Sequence, residues 1–205
     1  MCIFDEPKEL FNYIERVKGN RMKCERWIDY EDQDGKILWY AILNQIPYIE
    51  GHTLVILGSH KERIFADDIP QNELNSILLG INRISKRIIN LLDVENVHVI
   101  SMCEQMQHLH FHLLPRPKEY NQDQIEYMKD HYYNRGKIEN PQISFEEFSS
   151  KVDNNLIDYH GMWYSAFLER NPHYLQWKYP EDYVRELEKT AKKLRNKNKT
   201  NPFLD

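Results

Sequence analysis

The chain has 205 residues, 41% hydrophobic and 29% charged, with a formal net charge of −5. That balance suits a globular domain with a proper core plus an extension, and the negative sign argues against general electrostatic capture of nucleic acid. No apolar run approaches the roughly 20 residues of a membrane-spanning helix, and three scattered cysteines, Cys2, Cys24 and Cys103, do not make a disulfide framework.

Pro7 to Lys18 reads as a short amphipathic helix, with Leu10, Phe11, Ile14 and Val17 on one side. Met22 to Tyr30 reads as a strand, Asp34-Gly35 as a hairpin turn, and Lys36 to Ile46 as the returning strand. After Glu50-Gly51, Thr53 to Leu57 is a short buried strand. From Gln71 to Leu92 apolar residues recur at Leu74, Ile77, Leu78, Ile81, Ile84, Ile88 and Leu91, the spacing of a long core-facing helix. Asp67 or Asp68 is the expected cap beside Pro70. Asn96 to Met102 is the next strand, followed by a tight connection into a histidine-rich one. This order predicts an α+β domain, an antiparallel sheet with helices packed on it.

Residues 1–116 would form that domain. Beyond Arg116 the composition turns polar and rich in tyrosine, so 117–205 reads as a mostly helical extension, with helical spacing at Phe145–Phe167 and Pro180–Asn196. The Lys and Arg cluster closing the second of these suits a helix C-terminus and a solvated tail. Met1 to Glu6 lacks the basic-then-apolar layout of a secretory leader, so a cytoplasmic protein with reduced thiols is expected.

Gln107-His108-Leu109-His110-Phe111-His112-Leu113-Leu114-Pro115-Arg116 carries the chemistry. Strand side chains alternate between faces, and same-side neighbours lie roughly 6.6 Å apart. His108, His110 and His112 would line one face, while Leu109, Phe111 and Leu113 enter the core. Three adjacent imidazoles can supply a nucleophile, an orienting partner and a proton donor near neutral pH. Two other readings are a metal site, for which three ligands along one strand converge poorly, and a solvated face that is merely rich in histidine. None of the seven glycines falls in a Walker or dinucleotide pattern, so phosphate would be handled without a P-loop.

With that strand last in the sheet, the chain resembles the histidine-triad family of nucleotide hydrolases and transferases. The histidine strand, the Gly51-His52-Thr53-Leu54-Val55-Ile56 segment followed by His60, and Asn44-Gln45-Ile46-Pro47 match the family's motifs in order, over roughly Leu38 to Arg116. The resemblance implies that His110 attacks the α-phosphorus of a purine nucleotide, forming a nucleotidyl-histidine intermediate. His112 would contact the phosphate or leaving group, His108 would orient its neighbours, and His52 would stand beside the triad. Asn44 would hold the ribose or, on the plainer reading, cap a turn. A homodimer is also implied, with no membrane or cofactor.

The chain departs from the family at Glu104-Gln105-Met106-Gln107, where a glycine-containing phosphate cradle is usual. Gln105 or Gln107 would substitute there. Some relatives bind zinc through an N-terminal Cys-x-x-Cys; here the segment is Cys2-Ile3-Phe4-Asp5, so no metal site is expected.

The leading expectation is hydrolysis at the α-phosphate of dinucleoside polyphosphates or nucleoside phosphoramidates. The third histidine, His112, favours it, because family branches that transfer nucleotides to sugar phosphates carry glutamine there. A phosphorylase or nucleotidyltransferase differs only in the acceptor. A catalytically weak nucleotide sensor would suit the Glu104 loop. A repair enzyme gripping nucleic-acid ends through Lys189–Asp205 is opposed by the net negative charge.

Overall fold

The computed structural model describes residues 2–17, 20–47, 49–64, 68–101, 106–118, 144, 146–147, 150 and 182–203. Five strands form the main sheet: β3 (Trp27–Gln33), β4 (Lys36–Leu43), β5 (Thr53–Leu57), β6 (Val94–Ile100) and β7 (His110–Pro117). Their order is β3-β4-β5-β7-β6, and every neighbouring pair is antiparallel. The histidine strand is therefore internal, paired on both edges, which fixes its register and its two faces.

One face packs against α2 (Gln71–Leu92) and α3 (Tyr183–Leu194). Ile77, Ile81, Ile84 and Ile88 of α2 and Leu187, Ala191 and Leu194 of α3 join Leu109, Phe111 and Leu113 in a single core. Gly80 lets α2 approach the sheet, since a Cβ there would lie 2.6 Å from the Trp39 ring. The opposite face carries a second apolar cluster, in which α1 (Pro7–Asn12) and the 3-10 turn Ile3–Asp5 set Phe4, Leu10 and Phe11 over Trp27, Tyr40, Ile42, Leu54 and Ile56.

The N-terminal elements differ from the sequence reading. The expected helix over 7–18 stops at Asn12, and Tyr13–Val17 becomes β1, paired with β2 (Asn20–Lys23). The β-branched pair Ile14 and Val17 fits a helical stripe and a strand alike, and tertiary pairing selects the strand. The expected strand over 22–30 divides into β2 and β3, with Cys24 to Arg26 between them. Arg26, 1% exposed, turns inward and donates to the carbonyls of Tyr13 and Leu43. Pro70 caps α2 without a side-chain bond, while Asp68 pairs with Lys61 instead. Asp67 lies outside the described residues.

The chain divides into two compact units, Met1–Pro117 with His173–Asp205, and Lys118–Pro172. The final segment thus groups with the sheet domain, whereas composition had placed all of 117–205 together. Asp29, fully buried on β3, explains the attachment. Its carboxylate receives Arg83 at 3.1 Å and Arg87 at 3.0 Å from α2, and the Asn196 amide at 3.2 Å from the chain after α3. Arg87 also donates to the Leu194 carbonyl at 3.0 Å. The expected helical stretch 145–167 lies almost wholly outside the described residues. Among those described, no helix is long and apolar enough to cross a membrane.

If α3 completes the core, Leu187→Ala destabilises the protein by about 3 kcal/mol, the usual cost of such a cavity. Lys189→Ala, on the solvent side of the same helix, changes stability by less than about 0.5 kcal/mol. Equal urea midpoints for the two variants would refute the docking of this helix.

Candidate active site

The β5–β7 register sets Ile56 opposite His110 and Leu54 opposite His112. Continuing across the sheet, Tyr40 lies opposite Ile56 and Ile42 opposite Leu54. Cross-strand partners share a face, so the two histidines stand on the side of the second apolar cluster, away from the α2 core. His108 lies just before β7 rather than within it. The next residue still anchors the segment, because the Leu109 carbonyl accepts from Leu57 N–H and Leu109 N–H donates to the Lys61 carbonyl.

The hydrogen bonds assign the ring protons. His110 Nδ1 lies 2.6 Å from the His108 carbonyl, an acceptor, so Nδ1 carries the proton and Nε2 keeps its lone pair. That is the tautomer a nucleophilic imidazole needs. His108 Nε2 donates to the Leu57 carbonyl at 2.8 Å, which leaves its Nδ1 as an acceptor. His112 Nδ1 and His52 Nε2 are 2.9 Å apart, so one proton lies between them. The His110 and His112 ring centroids are 5.0 Å apart.

Burial keeps these rings neutral. It holds His110 below the ordinary histidine value, with the His108 carbonyl partly opposing the shift. Burial, with a smaller contribution from His110, takes His112 down to about 4. His52, fully enclosed, lies well below the ordinary range through burial and then through His112. His108 is lowered by burial against the opposing pull of the Leu57 carbonyl and Asp5. At pH 7 the site holds uncharged imidazoles, able to attack or donate but not repelling one another.

His52 is positioned by its turn. Gly51 has φ +82°, a conformation that favours glycine, and a Cβ there would lie 2.2 Å from a Leu92 methyl. The chain then enters β5, with the Asn44 N–H donating to the His52 carbonyl at 2.8 Å. Asn44 sits beside this ring. Its Oδ1 accepts from Ile46 N–H at 3.2 Å, and its Nδ2 is 3.3 and 3.4 Å from the two His52 nitrogens. The turn-capping reading of Asn44 thus has a direct counterpart, alongside packing on His52. Gln107 is exposed ahead of His108. Gln105 and Glu104 lie outside the described residues.

The N-terminal turn adds groups that motif reasoning passed over. Phe4 meets the His110 ring edge-on at 5.0 Å and the His108 ring at 5.6 Å. Its carbonyl accepts from the Tyr40 hydroxyl at 2.8 Å. Cys2 Sγ, Asp5 Oδ1, and the Nδ1 atoms of His60 and His108 gather close by, all within 4.8 Å of one another. The sequence reading expected no metal because Asp5 stands where relatives carry a cysteine; in the structure the Asp5 carboxylate lies among these donor atoms. His60, read as structural, is one of the four. Thiolate, carboxylate and two imidazoles suit a tetrahedral zinc-like ion, whose ligand atoms lie about 3.3–3.8 Å apart given its bond lengths. Cys2–His108 at 3.7 Å, Asp5–His60 at 3.1 Å and Asp5–His108 at 3.3 Å are close to that spacing.

The HIT domain family model matches residues 34–119. Among solved structures, the chain is similar to a HIT family protein from Bacillus anthracis at 22% identity, covering 70% of this chain and 97% of that one, with a TM-score of 0.43. It is also similar to a member of the HIT family from Bacillus subtilis, at 16% identity, 65% and 96% coverage and a TM-score of 0.43. A zinc-bound histidine triad family protein from Mycobacterium smegmatis matches at 24% identity, 45% and 66% coverage and a TM-score of 0.38. No curated protein matches. The segment matched by the HIT domain model runs from the β3–β4 turn through the whole of β7, so it takes in His52, just before β5, and the strand that carries His110 and His112.

Proposed function

We propose that this protein is a nucleotide hydrolase that cleaves at the α-phosphate through a covalent intermediate on His110. The observation that carries this reading is the 2.6 Å bond from His110 Nδ1 to the His108 carbonyl. It commits the ring's lone pair to Nε2 and holds the ring at a fixed angle.

In the first step His110 Nε2 bonds to the α-phosphorus and the bond to the leaving group breaks. In the second, water attacks phosphorus, the P–N bond breaks, the nucleoside monophosphate departs and the free imidazole returns. Splitting one hard displacement into two is the benefit of covalent catalysis. His112, accepting at Nδ1 from His52, carries its proton on Nε2 and offers it to a phosphate oxygen or to the leaving group. An arriving phosphate raises the His112 pKa from its low resting value, so the group becomes a better donor when substrate is present.

His108 acts through its backbone carbonyl on His110. Asn44 keeps one acceptor lone pair and an N–H for a ribose diol while supporting His52. Bound at Cys2, Asp5, His60 and His108, a divalent ion with all four positions taken by protein would supply structural rigidity to this edge of the site. Dinucleoside polyphosphates and nucleoside phosphoramidates fit the chemistry best, because both present an α-phosphorus with a leaving group that a single donor can protonate.

AMP release from diadenosine polyphosphates, an adenosine phosphoramidate, and ATP with and without added phosphate tests the reading. His110→Ala is expected to abolish turnover by several orders of magnitude on whichever substrate is cleaved. Stimulation by phosphate would identify a phosphorylase instead. Nucleotide binding without turnover on any of them would identify a sensor.

The acid limb of kcat/KM follows from the lowered His110 pKa. Protonation removes the lone pair, so activity is constant from pH 8 down through 6.5 and falls only at lower pH. A fall already half complete above pH 6.5 would contradict a buried neutral nucleophile. A homodimer goes with the family reading, and sedimentation at micromolar concentration should return twice the chain's mass rather than the monomer's.

A further inference from the structure

The chain after α3 reads in the sequence as a solvated tail, yet residues 195–203 run along the open edge of the main sheet and finish on its histidine side. β3 is the outermost strand there, so its outward backbone groups have no strand to pair with. The tail meets them. Asn196 N–H donates to the Ile28 carbonyl at 2.8 Å, Arg195 Nε to the Trp27 carbonyl at 3.2 Å, and Lys199 Nζ to that of Tyr30. Arg195 also lies over the Trp27 ring at 4.4 Å and pairs with Glu25 at 2.9 Å, while Lys199 lies over the Tyr30 ring at 4.6 Å.

The second half of the tail reaches α1. Asn201, 5% exposed, donates through Nδ2 to Asn12 Oδ1 at 3.0 Å, and its own Oδ1 accepts from Phe203 N–H at 3.0 Å. That turn sets the Phe203 ring edge-on to Phe11 at 5.3 Å. Phe11 meets Tyr40 at 5.5 Å, the Tyr40 hydroxyl donates to the Phe4 carbonyl at 2.8 Å, and Phe4 closes on His110 at 5.0 Å. A line of contacts therefore runs from the tail to the proposed nucleophile.

That nucleophile is shut in. His110 is 4% exposed, whereas attack needs a phosphorus atom about 3–3.5 Å from Nε2. The sheet does not yield, because β7 is paired by both β5 and β6 and packed on α2. The N-terminal cover is weaker. α1 has six residues and the turn before it three, too few to persist without tertiary support. The cover has a hinge at its far end, where Arg26 and Cys24 N–H groups donate to the Phe11 and Asn12 carbonyls at 2.7 and 2.9 Å.

We infer that residues 195–203 are a clasp that keeps α1 and the Phe4 turn closed over the histidines, and that release of Asn201 and Phe203 opens the site to substrate. The clasp belongs to the extension, beyond the segment that the HIT domain model matches. It stands on contacts alone; that the ring it guards is the attacking one rests on the function proposed above. The described hold of the tail on α1 is a hydrogen bond and an edge-on ring contact, and losing either shifts an opening equilibrium by about fivefold.

The experiment compares the full chain with Asn201→Ala, Phe203→Ala and, as a control at an exposed position of the same tail, Lys197→Ala. Hydrogen exchange is followed over residues 7–12 and over α2. Diethylpyrocarbonate, which carbethoxylates neutral imidazoles, is used to time the modification of His110 by peptide mass mapping. Asn201→Ala and Phe203→Ala are each expected to speed exchange over residues 7–12 and modification of His110 by about fivefold, with α2 unchanged. Lys197→Ala matches wild type. On whichever substrate is cleaved, kcat/KM rises in the same two variants.

Unchanged exchange and modification in both variants would overturn the clasp. So would faster exchange throughout α2, which would make the tail a general stabiliser of the core. Faster modification with a falling kcat/KM would overturn the opening to substrate. Faster modification without turnover in any form of the protein would uphold the clasp and count against His110 as the nucleophile.

Discussion

The pairing of β7 on both edges is the constraint from which the site follows. An edge strand could slip or twist, but β7 is held by β5 over His110–Leu113 and by β6 over His112–Pro117. The register that buries Leu109, Phe111 and Leu113 under α2 leaves His110 and His112 no choice of side. A slip of one residue would put imidazoles into an apolar core and apolar groups into the candidate site. Core packing energy is thus the force that aims the histidines, and the imidazoles contribute little to holding themselves in place.

The candidate site keeps its histidines uncharged rather than charging them. Burial accounts for most of the shift at His52, His110 and His112. Backbone carbonyls then decide which nitrogen of each ring is bare: that of His108 for His110, that of Leu57 for His108. A carbonyl is a better tautomer selector than a carboxylate here, because it accepts a hydrogen bond without adding a full negative charge that would repel a phosphate.

Several features were legible in the residues. The six-turn stripe of α2 and the apolar run of β5 each had one physical solution, and both lie within the bounds read from sequence. The alternation at His108–His112 specified a two-faced strand, although His108 itself stops short of it. Other features were not legible for identifiable reasons. Ile14 and Val17 sit at helical spacing although both are β-branched, so β1 was hidden until a partner strand existed. The helical spacing of α3 was legible but its attachment to the sheet domain was not, because Asp29 and its partners are far apart in sequence. The gathering of Cys2, Asp5, His60 and His108 was not legible, because the four are brought together only by the fold. Asn44 was weighed as a ribose contact, and only the coordinates reveal its bonds to Ile46 and its place against His52.

The docking of α3 has a consequence for how the protein is made. Residues 27 to 117 contain the sheet and its long helix, yet Leu187, Ala191 and Leu194 fill the same core. A chain emerging from the ribosome can pair all five strands and pack α2, but it must carry an uncovered apolar groove until residue 194 has appeared. The Asp29 carboxylate waits as well, with two arginines near it and its Asn196 contact still unmade. Such long-range closure is slow and leaves sticky intermediates, so a ribosome-bound holdase that covers this groove would matter more for this chain than for a domain whose core closes as it is synthesised.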